Sequence, residues 1–164
     1  MIDATDAEIL KILQENSRTS NAEIARQVGL AASAVFERIR KLEEKGTIRG
    51  YRAEIDPKSL DVGQLAFIFI RSTDRPGGMD TPTRLAQIPE ILELHHVAGE
   101  DCFLAKVRVR DAEALGRLLR EKLSRITTIT STRSTIVLDS VKETTSLPID
   151  VGAMENAAEA ALRG

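Results

Sequence analysis

Tryptophan is absent, cysteine occurs once, and aromatic residues make up only 3% of the 164-residue chain. A lone Cys102 excludes an internal disulfide framework and a cysteine metal cluster. Few aromatics mean that aliphatic side chains must fill the cores. No apolar run approaches the roughly 20 residues that a membrane helix needs. The opening residues, MIDATDAE, are acidic and show neither the cationic nor the apolar region of a secretory signal. A cytoplasmic protein without membrane contact is therefore expected. A dominant charge is missing too: 23 Lys and Arg against 25 Asp and Glu leave a formal net charge of -2. That excludes a generally cationic nucleic-acid coat. Residues 1–58 hold ten basic and ten acidic side chains, so specific DNA binding would rest on a local field, gathered by symmetric assembly. What is present is 42% hydrophobic and 29% charged residues, the balance of a globular protein of one domain or two small ones.

The stretch from Ser20 to Arg49, SNAEIARQVGLAASAVFERIRKLEEKGTIR, is the most organised. Ser20 and Glu23 have capping-box spacing, followed by Ile24, Ala25 and Val28 on one face. Gly29 allows a sharp turn. Val35, Ile39 and Leu42 give a second apolar stripe, and Gly46 ends it. Two short helices joined at a glycine match a helix-turn-helix, whose second helix enters the DNA major groove. On that helix Ser33, Glu37 and Arg40 point away from the stripe, with Phe36 and Lys41 to the sides. Arg38 lies on the shoulder of the core, and either contacts DNA or bridges to a carboxylate and only positions the helix. Just beyond, residues 47–53 are expected to be extended, as a small wing in which Arg49 and Arg52 either meet phosphates or are simply solvated. The bland alternative is a three-helix domain with an ordinary charged surface.

Ahead of this stretch, residues 3–16 form a helix capped by Asp3 or Thr5, with Ile9, Ile12 and Leu13 inward. Asp56-Pro57 breaks the chain. Residues 65–72, LAFIFIRS, are an apolar strand with both faces covered. A loop containing RPGG, a short helix from Pro82 to Ile88, strands at 91–99 and 102–110, a helix over 111–123 and a β-rich element bent or bulged near Ser131 complete the order. Strand, helix, strand, strand, helix, strand is the ferredoxin-like order of an α+β fold. Both helices on one face leave the other bare, and a second copy of the sheet is the simplest cover. The expected domains are 1–52, a winged helix-turn-helix; 53–64, a linker; 65–149, the ferredoxin-like domain; and 150–164, a weak helix or tail.

Taken together, IDATDAEILKILQENSRTSNAEIARQVGL, the V-x-x-R-I-x-x-L-E-x-x-G-x-I run from Val35 to Ile48, Gly50-Tyr51, HHVAGEDCFLAKVRVRD, IVLDSVK and Leu147-Pro148 resemble the Lrp/AsnC, or feast/famine, transcription regulators over about residues 2 to 149. The resemblance implies a homodimer made through the second domain, assembling into tetramers or octamers, with DNA read by the second helix of each N-terminal domain. It implies double-stranded DNA and a small-molecule effector, an amino acid, as partners, and no cofactor. Ser33, Phe36, Glu37, Arg38, Arg40, Lys41, Arg49 and Arg52 are then the DNA-contacting candidates. Gly99, Glu100, Asp101 and Cys102, with Thr130, Thr132 and Ser134, are the effector-contacting ones. Each of these has a plainer role: Gly99 permits a tight turn, Asp101 caps it, and Thr and Ser are ordinary strand residues.

Some features depart from the pattern. Ala31 stands where relatives often carry a capping serine, and Cys102 where they often carry tyrosine, which reshapes the effector cavity. Arg75-Pro76-Gly77-Gly78 makes a distinctive loop. His95 and His96 diverge on a strand and make a poor metal pair. An architectural DNA-binding protein with little effector response is the alternative function. No base is arranged by any motif beside Cys102, so an enzyme is not expected.

Overall fold

A computed structural model of the chain describes residues 2–75, 78–99 and 102–152. It divides into two compact units: described parts of 1–53 and 144–164 form one, and those of 54–143 the other. Residues 144–149, expected within the second domain, group by contacts with the first unit. The reason is local: the Gln14 carboxamide exchanges two hydrogen bonds with the backbone of Leu147. Among the described residues no helix is long and apolar enough to cross a membrane.

The first unit holds α1 (Ala4–Glu15), α2 (Asn21–Val28) and α3 (Ala32–Glu44). Asp3, not Thr5, caps α1: its Oδ1 accepts the Asp6 N–H at 2.7 Å. Ser20 Oγ accepts the Glu23 N–H at 3.2 Å. Glu23 does not close the box, because its carboxylate is engaged by Arg26 and Gln27. Gly29 ends α2 in the left-handed region at φ 69°, where an L side chain would be strained. Ile9, Ile24, Ala25 and Val35 are buried together, with Ile12, Leu13, Val28 and Ile39 at the margin. α3 begins at Ala32 after Ala31, which makes no side-chain cap bond. Ala31→Ser is expected to add about 0.5–2 kcal/mol, seen as a higher thermal midpoint for this unit alone.

Past α3 the chain forms no strand over 47–56. The wing is an irregular run, held by bonds from the Thr47 and Ile48 N–H groups to Leu42 O and by Tyr51 Oη donating to Glu43 Oε1 at 2.9 Å.

The second unit contains β1 (Gln64–Ser72), α4 (Asp80–Leu85), β2 (Ile91–His96), β3 (Phe103–Val109), α5 (Ala112–Glu121) and β4 (Ile129–Ile136). The sheet order is β2-β3-β1-β4 with antiparallel neighbours, the ferredoxin-like arrangement. α4 starts before Pro82 rather than at it, since a proline in the first turn has no N–H to lose. β2 stops at His96, short of the Gly99 turn. Ala66, Ile68 and Ile70 are wholly buried with Leu85, Ile88, Leu115 and Leu118, while Phe67 and Phe69 lie on the opposite, partly open face.

That opposite face is not wholly bare. Glu143, arriving after β4, pairs with Lys106 at 2.7 Å and Arg108 at 2.5 Å on β3. The expected irregularity in β4 is a register slip, where β4 steps from Ser131 to Ile129 against Arg71 and Ser72. Pro76 and Gly77 of the distinctive loop, and 153–164 of the expected tail, lie outside the described residues.

Candidate nucleic-acid interface and effector site

α3 presents its buried side through Val35 and Leu42, which are 0% and 3% exposed. Ser33, Phe36, Glu37, Arg40 and Lys41 are all exposed on the rest of its surface. Phe36, at 53% exposure, is therefore free of the helical core and available to a partner. Arg40 sits between two carboxylates of its own helix, with Nη2 on Glu37 at 2.7 Å and Nη1 on Glu44 at 2.6 Å. The Arg40 hydrogen bond holds the Glu37 carboxyl below the ordinary glutamate range. These are exposed i,i+3 and i,i+4 pairs, the kind readily exchanged for a phosphate or a base edge.

Arg38 makes the carboxylate bridge that was one of its two expected roles. Its Nη1 donates to Asp3 Oδ2 at 2.8 Å and Asp6 Oδ1 at 2.7 Å, which fastens α1 to α3. Burial pushes the Asp3 carboxyl up, but the Asp6 N–H and the Arg38 guanidinium outweigh it and leave it below its usual value. Arg49 and Arg52 are exposed and have no ion pair among the described residues. The run that carries them is pinned by Tyr51, whose hydroxyl is pushed up to about 12, by burial first and then by the Glu43 carboxylate. Sequence reasoning missed this pin, because residues 43 and 51 straddle a helix end and share no periodic spacing.

At the other candidate site, Gly99 has φ 127°, a backbone conformation that favours glycine. Glu100 and Asp101 lie outside the described residues. The Cys102 N–H donates to Ile70 O at 2.9 Å, and its thiol lies 3.7 Å from Ser72 O, against the core. Thr132 faces Ile70 from the other side and Ser134 faces Ile68. Thr130 Oγ1 donates to Arg71 O at 3.2 Å. Cys102 and Thr132 thus flank β1 at one end of the sheet, about 10 Å apart as two strand spacings. The hydrogen bonds of Cys102 go to β1 and to Val97, and that of Thr130 Oγ1 to Arg71 on β1.

A winged helix-turn-helix DNA-binding model matches residues 2–49, and the Lrp/AsnC ligand binding domain model matches 65–147. The chain belongs to the Lrp/AsnC family. This is a family of DNA-binding transcriptional regulators and not of enzymes. The chain is 38% identical over 152 residues to the leucine-responsive regulatory protein of Escherichia coli K12, covering 90% of this chain and 92% of that one. It is 37% identical over 148 residues to the HTH-type transcriptional regulator FL11 of Pyrococcus horikoshii, covering 90% and 97%. Among solved structures, a Neisseria meningitidis transcriptional regulator in complex with L-methionine gives a TM-score of 0.85 at 31% identity, with 92% and 98% of the two chains covered. The Mycobacterium tuberculosis feast or famine regulatory protein complexed with L-methionine gives 0.81 at 36%, with 92% and 100% covered. As an Lrp/AsnC protein, the chain has its DNA-binding model on the unit that contains α3 and its ligand-binding model on the four-stranded sheet.

Proposed function

We propose that this Lrp/AsnC protein is a sequence-specific DNA-binding regulator whose assembly and DNA affinity respond to an amino acid. The observation that carries the reading is the face of α3: Ser33, Phe36, Glu37, Arg40 and Lys41 stand exposed opposite the buried Val35 and Leu42. Arg40 pairs with guanine edges or phosphates, Glu37 accepts from a cytosine amino group, and Phe36 packs on a thymine methyl. Arg49, Arg52 and Lys41 neutralise phosphates and set the register. Two copies joined through the open sheet face, around Phe67 and Phe69, present two reading helices to a pseudo-palindrome. Leu138 and Val141, 98% and 96% exposed, are further apolar side chains available for assembly into tetramers or octamers.

The effector lies at an interface between dimers, against Gly99 to Cys102 of one copy and hydroxyls such as Thr130, Thr132 and Ser134. Two structural relatives were solved with L-methionine and a sequence relative is named for leucine, so these are the first amino acids to try. Differential affinity for the assembly states converts binding into altered promoter occupancy. One observation favours an architectural protein instead: the Cys102 thiol packs against the core, which leaves the site without the larger polar side chain common in relatives.

Footprinting on the chain's own upstream DNA, with and without each amino acid at fixed salt, tests the proposal. Phased protection that one amino acid alters is expected. Protection indifferent to all of them would leave the architectural reading, and no protection on any selected DNA would end both.

A further inference from the structure

The last two turns of α3 carry Glu37, Glu43 and Glu44 beside Arg40 and Lys41. Two of these carboxylates have an evident local use. Glu37 precedes Arg40, the favourable order for a helical ion pair. Glu43 accepts the Tyr51 hydroxyl that pins the run after the helix. Glu44 has neither justification. It is the last residue of α3, where the carbonyl end of the helix disfavours a carboxylate. It also follows Arg40 by four residues, the weaker order for such a pair. Yet its Oε1 accepts from Arg40 Nη1 at 2.6 Å, while Glu37 Oε2 accepts from Nη2 at 2.7 Å and Nε at 3.3 Å. Both carboxylates hold the Arg40 guanidinium above its usual range, Glu37 more than Glu44.

The consequence concerns a wrong base under Arg40. On a guanine the guanidinium gains the O6 and N7 acceptors and gives up its helical partners. On a base without that pair of acceptors, an isolated arginine would stand desolvated and unsatisfied in the groove. That cost is a large source of discrimination at polar contacts. Arg40 is not isolated. With Glu37 engaged by a cytosine amino group, as proposed above, Glu44 still offers a carboxylate at ion-pair distance. The mismatched complex keeps that pair and the matched complex gives it up. Selectivity is the difference between the two complexes, so the pair narrows it.

We propose that Glu44 is a specificity-determining residue, which lowers the penalty for a wrong base under Arg40 and lets the helix accept degenerate sites. The inference rests on the reading of DNA by α3 proposed above. Removing the Glu44 carboxylate has two separable effects. Its repulsion of nearby phosphates is lost on every DNA, which tightens all sites alike. The retreat open to Arg40 is lost only where the base is wrong, which widens the gap at that one position.

Titrations at fixed salt on the footprint-defined site and its single-base variants separate the two effects. The proteins are full-length wild type, Glu44→Gln, Arg40→Ala and the double variant. Glu44→Gln is expected to bind every DNA about threefold tighter. It should also raise the mismatch penalty about threefold at the position that Arg40→Ala flattens, and nowhere else. In the Arg40→Ala background the same substitution should leave all penalties as they are. An unchanged or lowered penalty at the Arg40 position would overturn the proposal, as would an equal rise at every position or a rise that persists without Arg40. A lower thermal midpoint with weaker binding to every DNA would also overturn it, marking Glu44 as a helix-stabilising residue. If Arg40→Ala altered no penalty, Arg40 would read no base, and its assignment would fall together with the role of Glu44. If Arg40→Ala flattened one position that Glu44→Gln left untouched, only the role of Glu44 would fall.

Discussion

Ile24→Ala is expected to unfold the helix-turn-helix unit near physiological temperature while the sheet domain melts as before. Ile24 is 0% exposed in a cluster whose other fully packed members are Ile9, Ala25 and Val35. Truncating a buried isoleucine costs about 2–5 kcal/mol, because the lost transfer energy is joined by a cavity that such a small core cannot close. A unit of this size sits at the low end of domain stability, so the loss consumes most of its margin. The second unit has its own core, from Ala66 to Ile126, with no member in the first. Calorimetry should therefore split into two transitions, only the lower one moved, and DNA binding should vanish with it. A single unshifted transition would show that Ile24 does not carry the unit.

The second large effect concerns assembly. Phe67 projects from the sheet face opposite the helices, between Lys106 on β3 and Thr135 on β4. Phe67→Asp places a short carboxylate there, which cannot snorkel to water once a second sheet covers it. The neighbouring Lys106 offers little relief, being already engaged by Glu93 and Glu143. A loss of about 100-fold or more in self-association is expected for a buried aromatic anchor replaced by a charge, with the species in sedimentation approaching the 18.0 kDa of one chain. Affinity for paired half-sites should fall with it. An unchanged sedimentation profile with an intact fold would mean that the copies join through another surface.

Much of the fold was legible because periodicity and caps are local. Val35, Ile39 and Leu42 announced α3, Gly29 its turn, and the alternation from Phe103 to Val109 a strand with one buried face. The uncapped start at Ala31 was raised only by the resemblance to relatives that often carry a serine there, and the structure shows no side-chain cap at that position. The limits came from partners distant in sequence. Arg38 looked like a DNA contact or a brace on the helix wheel, and the carboxylates of the brace, Asp3 and Asp6, arrive from α1, some thirty positions earlier. Asp3 rather than Thr5 caps α1, a choice between two adequate acceptors that no pattern makes. The Gln14 and Glu143 contacts join residues dozens to more than a hundred positions apart, and a lone exposed glutamine or glutamate carries no signal of its own. At the candidate effector site, sequence order placed Gly99 and Cys102 together, but their distance from Thr132 depends on β1 lying between β3 and β4.

The most direct test of the central claim is a binding titration on the footprint-defined site and on single-base variants of it, comparing wild type with Arg40→Ala and Arg52→Ala. If α3 reads bases, Arg40→Ala should lose about 10- to 100-fold on the cognate site and flatten discrimination at one position. Arg52→Ala should weaken all sites alike and reduce the salt slope by about one. An Arg40→Ala protein that keeps both wild-type affinity and wild-type discrimination would contradict the assignment of α3 as the reading helix.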